Sequence, residues 1–539
     1  MSIQIRNGTI DFASSSSTAF ANAISGVGNV TKSGTGVVVL SGNNTYTSST
    51  TVNAGTLRAG SATAFGNNAS AIVNNGGTLD LNGISLSVGS LSSGGGTTGV
   101  VTLGSGTLTM GGDNSSTTFG GTVSGSGGLV KLGNGTQIFS GTNSYTGTTT
   151  VNAGILQFNS GLTTTGGAVR VEDSGTLQAN ASIGRAIIGS GPGNTINVGA
   201  TGISLGDATS ATGFSLQGTL GIGSNSITLN SLGFAQLGAS TTLSGGTITA
   251  VNGVKMSGML NGNGTVAAKF TGLTGSQIIA SGGNLTLGSN VVGGFIHNGE
   301  ISTGTNTVTI LSSNRATLGS VTTLGSGSTA GTLNVANGAF VNFGGALQGY
   351  GTVDSTNSLA KAVIVNGDVY GTSVSNGITF TGYVKGTGTF TNTTFAGTYA
   401  PGLSPAIVNT TNATLTSSST LEMEIAGTTA GSEHDKLIDS GTLTLAGTLK
   451  VIYLNGYAPT GNEVFDLFQW NTLAGTFSSI DFSQAQAPSG YAWNTSNLYI
   501  DGTLSFSPVP EPTTILTVCG FAVGGLATWR KWRRDRQSA

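Results

Sequence analysis

Two short acidic stretches concentrate the groups in this sequence that are able to move a proton. Glu172 and Asp173 follow Arg170, and Glu433-His434-Asp435-Lys436 precedes Asp439. Cleaving a glycosidic bond, or abstracting a proton from a sugar, needs two carboxylates at a set separation with a basic partner to tune them. The first stretch has no second acidic cluster at an equivalent coil position, and the second follows a strand-and-turn pattern. Both read as solvated turns, so no catalytic residue is assigned and no enzyme is expected. His297 stands in a Gly/Asn turn, residues 293–299, with no partner at ligand spacing. Asp80 and Asp113 are single acids outside any Gly-Gly-x-Gly-x-Asp run. No Gly-x-x-x-x-Gly-Lys-Ser/Thr loop is present to cradle a phosphate. Cys519 is alone, which removes an intrachain disulfide and any multi-cysteine metal site. No metal and no cofactor are expected.

The carboxyl end carries chemistry of another kind. Val509, Pro510, Glu511 and Pro512 precede residues 513–529, which are uncharged and mostly apolar, and then Arg530, Lys531, Arg533, Arg534 and Arg536. As a helix, that apolar stretch spans about 25 Å, near the lower limit for a membrane crossing. Trp529 and Trp532 fall at its boundary, and the basic cluster is expected to hold the extreme C terminus in the cytoplasm. In this order the parts resemble the PEP-CTERM sorting signal of bacterial exosortase systems. The resemblance implies that an exosortase, a membrane transpeptidase, cuts near the motif and releases the protein or attaches it at the cell surface, often alongside exopolysaccharide. Glu511 is then a recognition residue of a substrate, not a catalyst. Cys519 reads as packing within the apolar stretch.

Most of the chain must be built from something other than helix. Of 539 residues, 92 are Gly and only 7% are charged. Gly costs about 1 kcal/mol per helical position, and Ser and Asn compete for backbone hydrogen bonds. Short Val, Ile, Leu and Thr runs between Gly and Asn read as strands joined by tight corners. Residues 26–57 and 125–156 align without a gap at an offset of 99, matching Lys32 with Lys131, Tyr46 with Tyr145, and Val52-Asn53-Ala54-Gly55 with Val151-Asn152-Ala153-Gly154. Such units bury no apolar face alone but do so when stacked. The expected fold is therefore all-β, a solenoid over residues 1–397 with coils of roughly 20–25 residues. A string of separate β-sandwiches is the competing architecture. The matched positions resemble the autotransporter-associated β-strand repeat of bacterial surface proteins, which implies a right-handed parallel β-helix and no activity. Residues 398–507 alternate apolar and polar positions, as in Leu421-Glu422-Met423-Glu424-Ile425, and are expected to form a β-rich capping domain. By the PEP-CTERM resemblance, residues 508–536 are expected to form the sorting signal, with one transmembrane helix over 513–529.

Two features depart from the resemblances. Residues 1–8 contain no apolar stretch of a secretion signal, so the recorded start is expected to lie inside a longer gene. No translocator barrel ends the chain, so self-export is not expected. Eighteen cations against 20 acids give −2, and without residues 513–539 the balance is 13 against 19, near −6. That excludes a large basic face for nucleic acid. The sequence thus points to a non-enzymatic structural or adhesive rod of an envelope or matrix. Its expected partners are an exosortase, the cytoplasmic membrane and exopolysaccharide. The alternative is a carbohydrate-binding or polysaccharide-cleaving β-helix, which a row of exposed aromatics or carboxylates on one face would favour.

Overall fold

The computed structural model describes residues 2–163, 165–289 and 293–509. Its strands are three to six residues long in most cases, because a Gly, Asn or Ser corner interrupts each apolar run. Within them side chains alternate between interior and surface, as in Val37–Leu40 and Ser49–Val52, whose second and fourth residues are buried. The strands stack in parallel register, giving a β-solenoid of about 20 turns in all with almost no helix. The chain divides into two units, Met1–Ala339 and Phe340–Ala539.

In the first unit three ladders form the faces of the coil. One face begins with Ser2–Ile5 on Ala23–Gly26 and later carries Leu86–Ser87, Leu108–Met110, Leu129–Lys131 and Thr149–Val151. A second carries Thr9–Phe12, Asn29–Lys32, Ser49–Val52, Ser70–Val73 and Leu91–Ser92. It runs on through Thr117–Phe119 to Thr136–Phe139. The third carries Thr18–Phe20, Val37–Leu40, Gly55–Ala59, Gly77–Asp80, Val100–Thr102 and Thr122–Ser124. The interior is a column of aliphatic and aromatic rows. Phe119, Phe139 and Phe158 occupy successive rungs, with ring centroids 6.3 and 5.7 Å apart.

Polar side chains form matching rows outside. Gln157, Gln178 and Asn197 stand in register. Corner asparagines bond from coil to coil, Asn74 to Asn53 at 2.7 Å and Asn180 to Asn159 at 2.8 Å.

The second unit is also a parallel solenoid. One face stacks Val363–Val365, Val384–Gly386, Thr398–Pro401, Thr420–Ile425, Thr448–Tyr453 and Ser479–Gln484. The ladder does not stop at residue 398, where the sequence suggested a separate cap. Leu421, Met423 and Ile425 are all buried, so the alternation that suggested a cap strand instead builds another rung. Single antiparallel bridges join Gly386 to Gly402 and Ile425 to His434. Antiparallel strands are formed by Val464–Asp466, Thr503–Pro508 and Tyr491–Asn494. Those strands enclose an aromatic group in which Trp493 stacks on Phe482 with centroids 4.7 Å apart. Pro510, Glu511 and Pro512, the apolar stretch 513–529 and the basic residues 530–536 lie outside the described residues; Val509 is exposed. Among the described residues no helix is long and apolar enough to cross a membrane.

Candidate functional site

The matched repeat residues lie inside the coil, and their polar ends are engaged by backbone. Lys32 is fully buried and its Nζ donates to the carbonyls of Gly34 and Ala54. Lys131 does the same toward Leu132, Gly133 and Ala153, at 2.6, 2.8 and 3.3 Å. Each ammonium thus gathers carbonyl oxygens at the Asn-Ala-Gly corner, which strands alone cannot satisfy. Burial lowers the pKa of both lysines, partly offset by Asp11 near Lys32 and Asp113 near Lys131. Tyr46 meets the Thr50 hydroxyl at 2.5 Å, and Tyr145 meets Thr149 at the same distance. Burial pushes the Tyr145 phenol up to about 12 and raises Tyr46 as well. Arg185, also fully buried, lies 4.8 Å from the Tyr145 ring centroid. Its guanidinium donates to the carbonyls of Tyr145, Gly147 and Thr163. These buried polar groups are engaged in holding corners.

The two copies do not share a face. Lys32 belongs to the second ladder, whereas Lys131 belongs to the first. Tyr46 follows the bond from Thr45 N to Ile24 O on the first face, and Tyr145 follows the bond from Ser144 N to Val123 O on the third. The 99-residue offset is therefore not a whole number of coils, and the second copy is turned by one face. Inward Lys32, Tyr46, Thr50, Val52 and Leu57 recur as Lys131, Tyr145, Thr149, Val151 and Leu156. Other inward positions change, Val38 to Gln137 and Ala59 to Phe158, as do outward ones, Val37 to Thr136, Thr56 to Ile155 and Arg58 to Gln157.

Charged side chains meet on the outward side of one face of the second unit, where they are largely covered. Lys385, Ala400, Glu422, Lys450 and Asp481 occupy successive rungs. Lys450 pairs with Glu422 at 2.9 Å, Lys385 with Glu424 at 3.2 Å, and the Tyr383 hydroxyl donates to Glu422. Asp435 is fully buried beneath the adjoining loop and accepts backbone N–H bonds from Ala406 and Glu424 at 2.9 and 2.8 Å. Burial pushes its carboxyl up to about 7 against those bonds. Asp439 is buried too and takes backbone N–H bonds from Asn412, Ala413 and Gly441. Both aspartates serve as fasteners between coils, so Glu433–Lys436 is not the solvated turn that the sequence suggested. His434 is buried, with its ring nitrogens on the carbonyls of Gly427 and Asp466.

The other sequence candidates are separated in space by their roles. Arg170 is exposed on Val169–Glu172, and Asp173 takes φ of 49° in an exposed turn, which suits a corner and brings no second carboxylate into line. Asp80 pairs with Arg58 at 2.6 Å. His297 lies in the strand Phe295–His297 and points inward, not in a turn as expected. Its Nε2 faces the Glu300 carbonyl at 3.1 Å, and burial lowers its pKa to about 4. Among the described residues no group of three or more His, Cys, Asp or Glu is placed to hold a metal. The exposed Tyr370 has Gln348 and Thr391, and no aromatic, as its rung neighbours. The ion-pair face was missed in the sequence because its members come from different coils; only the alternation of Glu422 and Glu424 hinted at it.

Comparison with known proteins agrees with this arrangement. The model of the passenger-associated-transport-repeat family matches residues 30–59 and 129–158, the segments that hold the buried lysines, tyrosines and corner glycines. An 87-residue stretch is 41% identical to the adhesin BmaC autotransporter of Brucella suis biovar 1 (strain 1330). That stretch is 16% of this chain and 2% of the adhesin, so the match spans a small part of that relative's length. The chain therefore carries two autotransporter-associated repeats within a β-solenoid.

Proposed function

We propose that this chain is a non-enzymatic adhesive protein of a bacterial cell surface, whose coils are scaffold and whose contacts are made from the outside. The carrying observation is what the two repeats have in common. They share buried residues that close corners, and they lack a common face, so they encode the coil and not a row of binding groups. Outward rows of Thr, Gln and Asn fit a passive stalk, and the likeness to an adhesin's repeats supports the surface role. Turned inward, the polar groups of the repeats have no route to substrate.

The carboxyl end adds a processing step to this proposal. Val509, Pro510, Glu511 and Pro512 would be read by an exosortase while residues 513–529 sit in the cytoplasmic membrane and Arg530, Lys531, Arg533, Arg534 and Arg536 stop transfer. Release or attachment would follow, with exopolysaccharide as the surrounding partner. Surface proteolysis of intact host cells, with mass spectrometry of the mature C terminus, tests both parts. The expected result is peptides of residues 2–509 shaved from whole cells, and a mature protein lacking residues 530–539. Protection of the whole chain until lysis overturns the surface role. A surface protein that retains Arg536 overturns the processing step.

A further inference from the structure

The last rung of the second unit leaves one polar cleft that the coil scaffold does not use. It has a volume of about 250 Å³ and is lined by Trp470, Ile500, Gln469, Asp466, Asp501 and Lys436. Phe468–Gly475 is paired to Lys436–Leu445 on one side and is the last strand of its ladder, so it presents backbone groups as well. The lining has a particular division of labour. Ile500 is 74% exposed, an unusual position for an isoleucine, and Trp470 is partly exposed beside it. Trp493, by contrast, is stacked and bonds the Ala485 carbonyl at 2.7 Å. Among the described residues neither the Trp470 indole N–H nor the Gln469 amide has a protein partner. Asp501 uses Oδ1 for its own turn with Thr503 and leaves Oδ2 open. Lys436 pairs with Asp466 at 2.5 Å, which fixes one carboxylate at the rim.

A mostly polar lining of open amide, indole and carboxylate groups, interrupted by the partly exposed Trp470 and the exposed Ile500, suits a ring with a border of hydroxyls and a small C–H face. We propose that this cleft binds a hexopyranose unit of a neutral polysaccharide, with Trp470 and Ile500 against the ring face and Gln469, Asp466 and Asp501 on its hydroxyls. Two carboxylates against one ammonium disfavour a uronate, because a third negative charge would face Asp466 and Asp501. This inference rests on the adhesive reading and names its ligand class.

The test is titration calorimetry of the purified full chain with glucan, galactan, mannan and galacturonan hexasaccharides. Saturable binding of at least one neutral hexasaccharide is expected, with galacturonan at least about tenfold weaker. Trp470→Ala should weaken binding by about tenfold or more, and Gln469→Ala, at an exposed position, by about threefold. Trp470→Phe should retain most of it, and unfolding midpoints of all three variants are compared with the parent. Absence of binding by every neutral hexasaccharide overturns the proposal. So does tightest binding of galacturonan, or unchanged binding in folded Trp470→Ala and Gln469→Ala. Surface exposure without saccharide binding overturns this inference alone; binding by a chain that never reaches the surface overturns the adhesive reading and leaves the cleft.

Discussion

His297 is fully buried on the inside of a coil, in register with Gly272 and Leu318 and with the rings of Phe270 and Phe295 about 6 Å away. That setting admits the neutral imidazole and not the cation, hence a pKa lowered to about 4 from an ordinary 6.5. Between those values the unfolded chain takes up a proton that the folded one refuses. Stability contributed by His297 is therefore whole above pH 6.5 and is lost as pH falls toward 4, by about 3 kcal/mol. Denaturant unfolding at pH 7.5, 5.5 and 4 reads this directly, and His297→Leu should flatten the acid slope; an unchanged slope would contradict it. A second contrast lies in the repeated tyrosines. Thr50 has another partner, the Phe65 carbonyl at 3.1 Å, whereas the Thr149 hydroxyl bonds only Tyr145 among the described residues. Tyr145→Phe should accordingly cost about 1–2 kcal/mol and Tyr46→Phe clearly less, as measured by unfolding midpoints. Equal losses would mean that the hydroxyl pairs do not set the difference.

The corner is the element on which the coil depends. Gly55 and Gly154 close the two Asn-Ala-Gly corners at φ of 65° and 62°. A Cβ on Gly154 would stand 2.4 Å from the Gly133 carbonyl oxygen and 2.5 Å from that of Gly135; on Gly55 it would stand 2.5 Å from those of Gly34 and Gly36. Gly191 has φ of 93° but open space around the same position. Gly191→Ala therefore carries backbone strain alone, on the order of 1 kcal/mol. Gly154→Ala adds a clash with backbone that cannot swing aside, for a loss of about 3 kcal/mol or more. Equal thermal shifts in the two variants would refute the close-approach argument. This also marks how far the sequence could be read. Val37–Leu40, Ser49–Val52 and the corner between Val52 and Gly55 were legible because the two-residue period and the Gly/Asn signals are local. The rotation of one copy against the other was not, since it accumulates from coils of unequal length, such as the long step from Leu91–Ser92 to Thr117–Phe119. Nor was the role of Asp435, whose partners, Ala406 and Glu424, are joined to it only by stacking.

At the scale of the whole molecule, stability should be divided along the stack and not shared evenly. Gly154 touches Gly133 in one neighbouring coil, and its carbonyl accepts from Thr176 N at 2.8 Å in the next. Beyond those coils the perturbation has no direct contact through which to act. A solenoid behaves as a row of nearest-neighbour terms, so a strained corner opens its own coil and the adjacent ones before distant coils respond. Hydrogen exchange of folded Gly154→Ala should therefore lose protection across residues 129–179. Within the same unit, residues 254–318 should keep their parental protection, since they are separated from the change by several intact rungs. Peptide-level mass spectrometry at a fixed pH distinguishes the two cases. A uniform loss across the unit would make it one all-or-none block, and the view of the repeats as local fasteners would then fail. A graded loss centred on the mutated corner would instead tie the sequence repeat to its physical purpose: each copy secures the coils it touches, whichever face it occupies.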